Sequence, residues 1–457
     1  MLQQVEYRPK PYMGWLIERA AKLQSLGTVM HRKNLEYTRR ARLLLVAGWL
    51  IGILWFVLCI SVAIYSDQLG IIWGAILTPV VVILGLVSIV WIGYVCIARP
   101  DEKRQIGRSK KILTAHSAVK IAVMGSYGKT TMKEMLSTVL SEQFRVAATL
   151  GNGNTPIAHA RFASQLVGDE NILLFEFGEG KPGDIAQFAD AIRPEYVIVT
   201  GVAPNHLDQY GSLKALLDDI ESIRDYVQAE KIFWAADSEQ LGSRLRGYDQ
   251  VFSEQGGDTW QNSHVTVHAD GIEFECKTGK ESYVVHAAVL GKHQVAPLGL
   301  VVAMAEHLGM DKRQIEAGVG KVRAFEHRMQ PYILHGATII DDTYNGNLQG
   351  MLAGLEFLRT IPAKRKLYVT PGLVDQGEET ESVHRQIAHK IVDTKPDQLV
   401  LMQNSATDSI RRELAALEYA GAVLLEDDPL EFYQNLDQFV RAGDVVLMQN
   451  DWTDNYR

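Results

Sequence analysis

Residues 119–143 read VKIAVMGSYGKTTMKEMLSTVLSEQ, and the succession of residue types in this stretch decides the fold. Val119 to Met124 is an apolar run of the kind buried in a parallel sheet. Gly125, Ser126, Tyr127, Gly128, Lys129, Thr130 and Thr131 follow, and then a helical stretch. Strand, glycine loop, Lys-Thr and helix together make a phosphate cradle. The glycines let backbone N–H groups approach phosphate oxygens, and the helix N-terminus adds its positive end. Lys129 neutralises phosphate charge, and the Thr130 hydroxyl can ligate magnesium. The general form of such loops carries another glycine two residues before Gly125, where this chain has Val123. The loop is therefore a short variant, and the strand and helix around it disfavour an accidental Gly-Lys-Thr.

Back from this strand the chain changes character. Residues 1–120 hold 16 Lys and Arg against 6 Asp and Glu, whereas residues 121–457 hold 30 against 48. An acidic body of this size excludes a nucleic-acid partner, and a basic front suits the anionic inner face of a membrane. Two runs carry no charge, 24 residues from Leu43 to Ser66 and 31 from Gln68 to Ala98. At about 1.5 Å per helical residue, each exceeds a hydrocarbon core of about 30 Å. Residues 43–98 are read as a transmembrane hairpin, since the first run starts too late and is too long for a cleaved signal peptide. Arg39, Arg40 and Arg42 precede it, Arg99, Lys103 and Arg104 follow it, and the turn near Asp67 has no basic residue. Both termini, and the body that follows the hairpin, are then expected in the cytoplasm. Residues 1–42 read as a basic membrane-surface segment and 99–118 as a polar linker. Three cysteines, Cys59, Cys96 and Cys276, build neither a disulfide framework nor a zinc site.

Forward from the loop, strands and helices alternate, and 457 residues leave room for two more folded units. The segments TLGNGNT (149–155), FEFG (175–178) and TGVAPNHLDQYGS (200–212) follow in order. Beyond them stand His327-Arg328, IIDDTYNGN (339–347) and GLVDQGEE (372–379) with a later His384. The short loop G-[ST]-x-G-K-T-[TS], together with these segments in this order, resembles the Mur ligase family, the ATP-dependent amide-forming enzymes of peptidoglycan synthesis. The last three segments are most similar to the branch that adds D-alanyl-D-alanine. The resemblance covers about residues 119–457.

It implies transfer of the ATP γ-phosphate to a substrate carboxylate, followed by displacement of phosphate by an amine. Lys129, Glu176 and His206 would be catalytic, and Thr130, Glu176 and His206 would hold magnesium. The nucleotide would lie on Gly125 to Thr131 and be reached by Arg328, Asp341, Asp342, Tyr344 and Asn345. Asn152, Asn154, Asp375 and Glu378 would meet the substrates. Two departures stand out. The family's Gly-x-His-Asn-x-x-Asn, whose last Asn helps to bind adenine, is here Gly291-Lys292-His293-Gln294-Val295-Ala296-Pro297. Many members also carry a carbamylated lysine 14 residues after the metal histidine, a position held here by Ile220, with Asp218, Asp219 and Glu221 beside it.

The fold expected is α/β: two transmembrane helices, a Mur-ligase-like P-loop ATPase domain over 119–325 and a Rossmann-like domain over 326–457. A membrane hairpin stands where the family's UDP-gripping domain is expected. The expected activity is ATP- and Mg2+-dependent ligation of a muropeptide or other carboxylate to an amino-acid or dipeptide amine. The expected setting is the cell membrane, with its lipids as partners. Two alternatives are a membrane-associated poly-γ-glutamate synthase-like ligase and a non-catalytic nucleotide-binding scaffold for other cell-wall enzymes.

Overall fold

The computed structural model describes residues 38–65, 69–151, 153–203, 207–344, 346–374, 376, 379–404 and 406–450. It divides into two compact units, one of residues up to Gly107 and one of Arg108–Asp454.

In the first unit, helices α1 (Arg39–Tyr65) and α2 (Leu69–Gly93) pack side by side. Gly48 faces Leu86, Gly52 faces Val82, and a Cβ on Gly85 would lie 2.8 Å from Ile51, so the pairing runs antiparallel with small residues at the contact. Both helices are long and apolar enough to cross a membrane. Trp49, Leu54, Ile64 and Ile97 are largely exposed. The expected turn at Asp67 and the surface segment over 1–37 lie outside the described residues.

The segment read as a polar linker, 99–118, is mostly helical. A π-helical turn (Tyr94–Ala98) leads from α2 into α3 (Arg99–Ala115). Pro100 cannot donate a backbone hydrogen bond, and the wider turn just before it absorbs that defect. Asp101 and Glu102 in the first turn of α3 and the Gln105–Asp101 side-chain bond then sustain a helix of polar composition.

The second unit holds two sheets. The larger has strand order β10-β9-β8-β7-β6-β5-β4-β1-β3-β2. Strands β1 (Val119–Met124), β2 (Val146–Ala148), β3 (Ile172–Glu176), β4 (Tyr196–Val199), β5 (Ile232–Ala235) and β6 (Gln250–Ser253) run parallel. The short β7 (Gly256–Gly257) and the strands β8 (Trp260–Val267), β9 (Ile272–Thr278) and β10 (Ser282–Ala287) extend the sheet antiparallel. Its centre is covered on both faces. Ile121 and Val123 pack with Met132, Met135 and Leu136 of α4 (Lys129–Leu140), while Ala122 and Met124 pack on the other side with Phe175, Phe188 and Leu216. Burial on both faces is why β1 reads as an apolar run rather than an alternation.

The smaller sheet has order β11-β12-β16-β13-β14-β15. Its strands are β11 (Gln330–Leu334), β12 (Ala337–Asp342), β13 (Arg365–Thr370), β14 (Gln398–Met402), β15 (Ala422–Glu426) and β16 (Asp444–Gln449), parallel except for β11. The second unit is α/β with two layered sheets, and the first holds two apolar helices. In the larger sheet the strand order reverses between β1 and β4, and ligands of such sheets lie outside the carboxyl ends of the strands at that point.

Candidate functional site

The loop after β1 occupies that switch point, and its geometry is set by β4. Gly125 has φ +128° and Gly128 φ +79°, backbone that side chains rarely tolerate. A Cβ on Gly125 would lie 2.5 Å from the Thr200 hydroxyl and 2.9 Å from Gly201 O. Ser126 and Tyr127 donate their N–H groups to Gly201 O at 2.8 and 3.3 Å. The Tyr127 ring lies so close to Gly201 that any side chain there would collide with it. The loop is thus held by its first residues, while the N–H groups of the first turn of α4 need no partner within the helix. Such a cradle fits a phosphate.

Behind it lies a cluster of charges. Thr130 donates to Glu176 Oε2 at 2.9 Å, and Asn154 Nδ2 donates to Glu176 Oε1 at 3.3 Å. Lys133, with no exposed surface, donates to Thr149 O at 2.6 Å and Gly151 O at 2.5 Å, and lies 3.7 Å from Glu176 Oε2. Asn154, expected to meet substrate, stands beside this carboxylate. His159 approaches Glu176 O at 2.9 Å through Nε2, and burial pushes its pKa down to about 4, so the ring is neutral and Nε2–H donates. Lys129 donates to Glu179 at 2.8 and 3.0 Å and to Gly125 O. His206 and Asn152 lie outside the described residues.

Sequence reading missed Lys133, His159 and Glu179. Lys133 sits one turn after Lys129 on α4, and that i, i+4 spacing was the available signal. For Glu179, 50 residues beyond Lys129, and His159 nothing local pointed to the site.

A cleft of about 830 Å³ opens between the two sheets, lined by Tyr127, Gly128 and Thr131 on one side and by Arg328, Asp342, Tyr344 and Asn347 on the other. The Arg328 guanidinium stacks 4.9 Å from the centre of the Tyr344 ring. Asp342 accepts from Met329 N and Gln449 Nε2, and its burial pushes its pKa up to about 6. Asp341 turns to His327 Nδ1 at 2.7 Å and to Thr343, and does not line the cleft. Asn345, Asp375 and Glu378 lie outside the described residues. His384 is buried, accepts from Leu373 N at 3.1 Å and donates to Thr380 O at 2.6 Å, which fixes the loop after β13.

Residues 123–305 match the model of the Mur ligase middle domain, and residues 327–449 that of the Mur ligase glutamate ligase domain, together more than half of the chain. The chain belongs to the Mur ligase family. It is 29% identical over 276 residues to the UDP-N-acetylmuramoyl-tripeptide--D-alanyl-D-alanine ligase of Escherichia coli K12, covering 58% of this chain and 60% of that protein. It is 26% identical over 302 residues to the enzyme of the same name from Synechocystis, covering 64% and 63%. The chain thus spans about three fifths of the length of these relatives. Among solved structures it resembles MurF from Acinetobacter baumannii with a TM-score of 0.67 at 20% identity, covering 77% of each chain. It resembles the MurF ligase from Thermotoga maritima, solved with ADP, with a TM-score of 0.65 at 21% identity, covering 77% and 80%. At these identities the likeness is one of fold.

Within this Mur ligase the two departures have physical outcomes. Ile220 is buried in the core with Leu216 and Val199. Asp218 and Glu221 both bond Arg244 at 2.7 Å, while Asp219 accepts from Gly183 N at 2.7 Å and Tyr210 Oη at 2.9 Å. All three neighbouring acids therefore have partners of their own. Pro297 stands in the first turn of the helix Val295–His307, where no backbone N–H is required, and it lines the cleft beside His293 and Gln294.

Proposed function

We propose that this Mur ligase is an ATP-dependent amide ligase that joins a muramoyl-peptide carboxylate to the amine of a dipeptide, most like D-alanyl-D-alanine. The observation that carries this reading is the placement of Lys129 and Thr130 against two buried carboxylates at the mouth of a phosphate cradle. The substrate carboxylate attacks the γ-phosphorus and ADP leaves; the amine nitrogen then attacks the acyl carbon, loses a proton, and phosphate departs.

The obstacle is crowded negative charge. Lys129 and the first-turn N–H groups of α4 offset it on the phosphates, and Arg328 approaches from the opposite wall of the cleft. The Thr130 hydroxyl and the Glu176 carboxylate, which lie 2.9 Å apart, would hold one Mg2+, and Glu176 with the His206 imidazole a second. Such ions would supply Lewis-acid charge. Asn154 and Lys133 keep the Glu176 carboxylate aimed, and His159 holds the backbone of the same residue. The two apolar helices would anchor the protein in the cell membrane, with the catalytic body in the cytoplasm.

The test is ATP turnover by the full chain in detergent, with muramoyl tripeptide and D-alanyl-D-alanine, and with glutamate as the competing substrate. Turnover dependent on the first pair is expected, with a loss of about 100-fold or more in Lys129→Ala. Wild-type-like turnover in that variant would sink the reading.

A further inference from the structure

Glu179 poses a problem for any phosphate that enters the cradle. Its carboxylate holds Lys129 at 2.8 and 3.0 Å, and the lysine and glutamate side chains are only 11% and 4% exposed. Lys129 is the charge a phosphate needs, and it is already committed to Glu179 and to Gly125 O. The backbone on either side of Glu179 is also held. The preceding Gly178 packs against Asn154 O, where even a Cβ would approach to 2.5 Å, and the N–H groups of Gly180 and Lys181 are bonded to Asp184 at 3.1 and 3.0 Å. The segment carrying Glu179 is pinned on both sides.

A nucleotide arriving alone would take Lys129 and leave a buried carboxylate without its cation, facing phosphate oxygens of the same sign. Both consequences are unfavourable in a site that water screens poorly. A nucleotide arriving with a divalent cation brings the compensating charge along. We propose that Glu179 makes nucleotide binding conditional on the accompanying divalent cation, so that the site discriminates the metal–nucleotide complex from the free nucleotide. The proposal rests on the reading that a nucleotide occupies this loop. Glu179 acts as a specificity-determining residue: it weakens the wrong form of the ligand more than it strengthens the right one.

The experiment measures binding of a fluorescent ADP analogue to the full chain in detergent, with excess Mg2+ and with EDTA, by anisotropy. The unaltered protein should bind the Mg2+ form about 100-fold more tightly than the free form. In Glu179→Gln, whose amide can still accept from Lys129, that ratio should fall about tenfold or more, through tighter binding of free ADP. Glu179→Ala should move the ratio the same way. Glu176→Gln, in contrast, should weaken the Mg2+ form without strengthening the free form. A residue needed only for folding would weaken both forms together and leave the ratio unchanged. An unchanged ratio in both Glu179 variants, with the unaltered protein binding normally, overturns this inference alone. No binding by the unaltered protein under either condition overturns the nucleotide reading and this inference with it.

Discussion

Lys133 is a cation with no exposed surface, and it reaches two carbonyls and the Glu176 carboxylate from different parts of the chain, with the adjacent Glu134 at 3.4 Å. Ammonium groups are buried only when such partners are supplied. Lys133→Met should leave Thr149 O and Gly151 O without their donor and cost about 1–3 kcal/mol, measured by denaturant unfolding. It should also raise the Mg2+ concentration needed for half-maximal turnover, because Glu176 loses one of the groups that aim it. Unchanged stability together with an unchanged Mg2+ dependence would rule out the positioning role. At this scale the sequence exposed residues that belong to a contiguous pattern, as Gly125 to Thr131 do, and the strand-end Glu176 through its following glycine. Lys133, His159 and Glu179 act through contacts that span 16 to 50 residues of chain, and apart from the spacing of Lys133 from Lys129 no local pattern points to them.

Elements were legible where burial imposes a pattern and less so where it does not. The apolar run of β1 follows from helices on both faces of the sheet, whereas α3 is helical although its polar composition reads as linker. The loop between β1 and α4 illustrates the cost of a fixed conformation. Gly125→Ala combines a φ of +128° with a Cβ 2.5 Å from the Thr200 hydroxyl, and should cost about 1–3 kcal/mol from strain alone. Nucleotide binding should weaken with it; an alanine variant as stable as the parent would show that the loop relaxes freely. The helix α5 (Pro156–Ala163) is tied to β3 by His159, which gives a pH dependence whose sign follows from burial. Its folded pKa of about 4 lies below the ordinary 6.5, so the unfolded chain takes up the proton first. The contribution is intact above about pH 6.5 and is lost as pH falls through about 4, by roughly 3 kcal/mol in all. His384 is shifted down by burial too and adds to the loss with the same sign. Asp342, whose pKa burial raises to about 6, acts with the opposite sign over the same range, so the His159 share is read as a difference between variants. From pH 7 to pH 4 the unfolding free energy of His159→Gln should gain relative to that of the parent; an equal slope would count against this assignment.

At the scale of the whole molecule, the residues directly ahead of the phosphate cradle are two apolar helices joined to a basic one. Arg99, Lys103, Arg104, Arg108 and Lys111 on α3 are exposed, and the positive-inside rule assigns this end to the cytoplasm. A reporter active only after export should therefore be silent when fused after Arg457, and activity there would exclude the hairpin topology. If that topology holds, the spans keep the ligase near the inner leaflet, where the effective concentration of a lipid-borne acceptor far exceeds that of a soluble one. We therefore expect the carboxylate substrate to be presented at the membrane surface. The competing arrangement is a hairpin that only anchors, with a soluble UDP-muramoyl tripeptide bound in the cleft between the two sheets. Turnover of lipid-linked and UDP-linked muramoyl tripeptide by the full chain in vesicles, against the same chain in detergent, separates the two. Lipid-linked substrate should gain about tenfold or more from the vesicles, as tethering arithmetic permits, and the UDP-linked substrate should not. Equal turnover of both substrates, with no gain from vesicles, would show that the membrane contributes nothing to substrate choice.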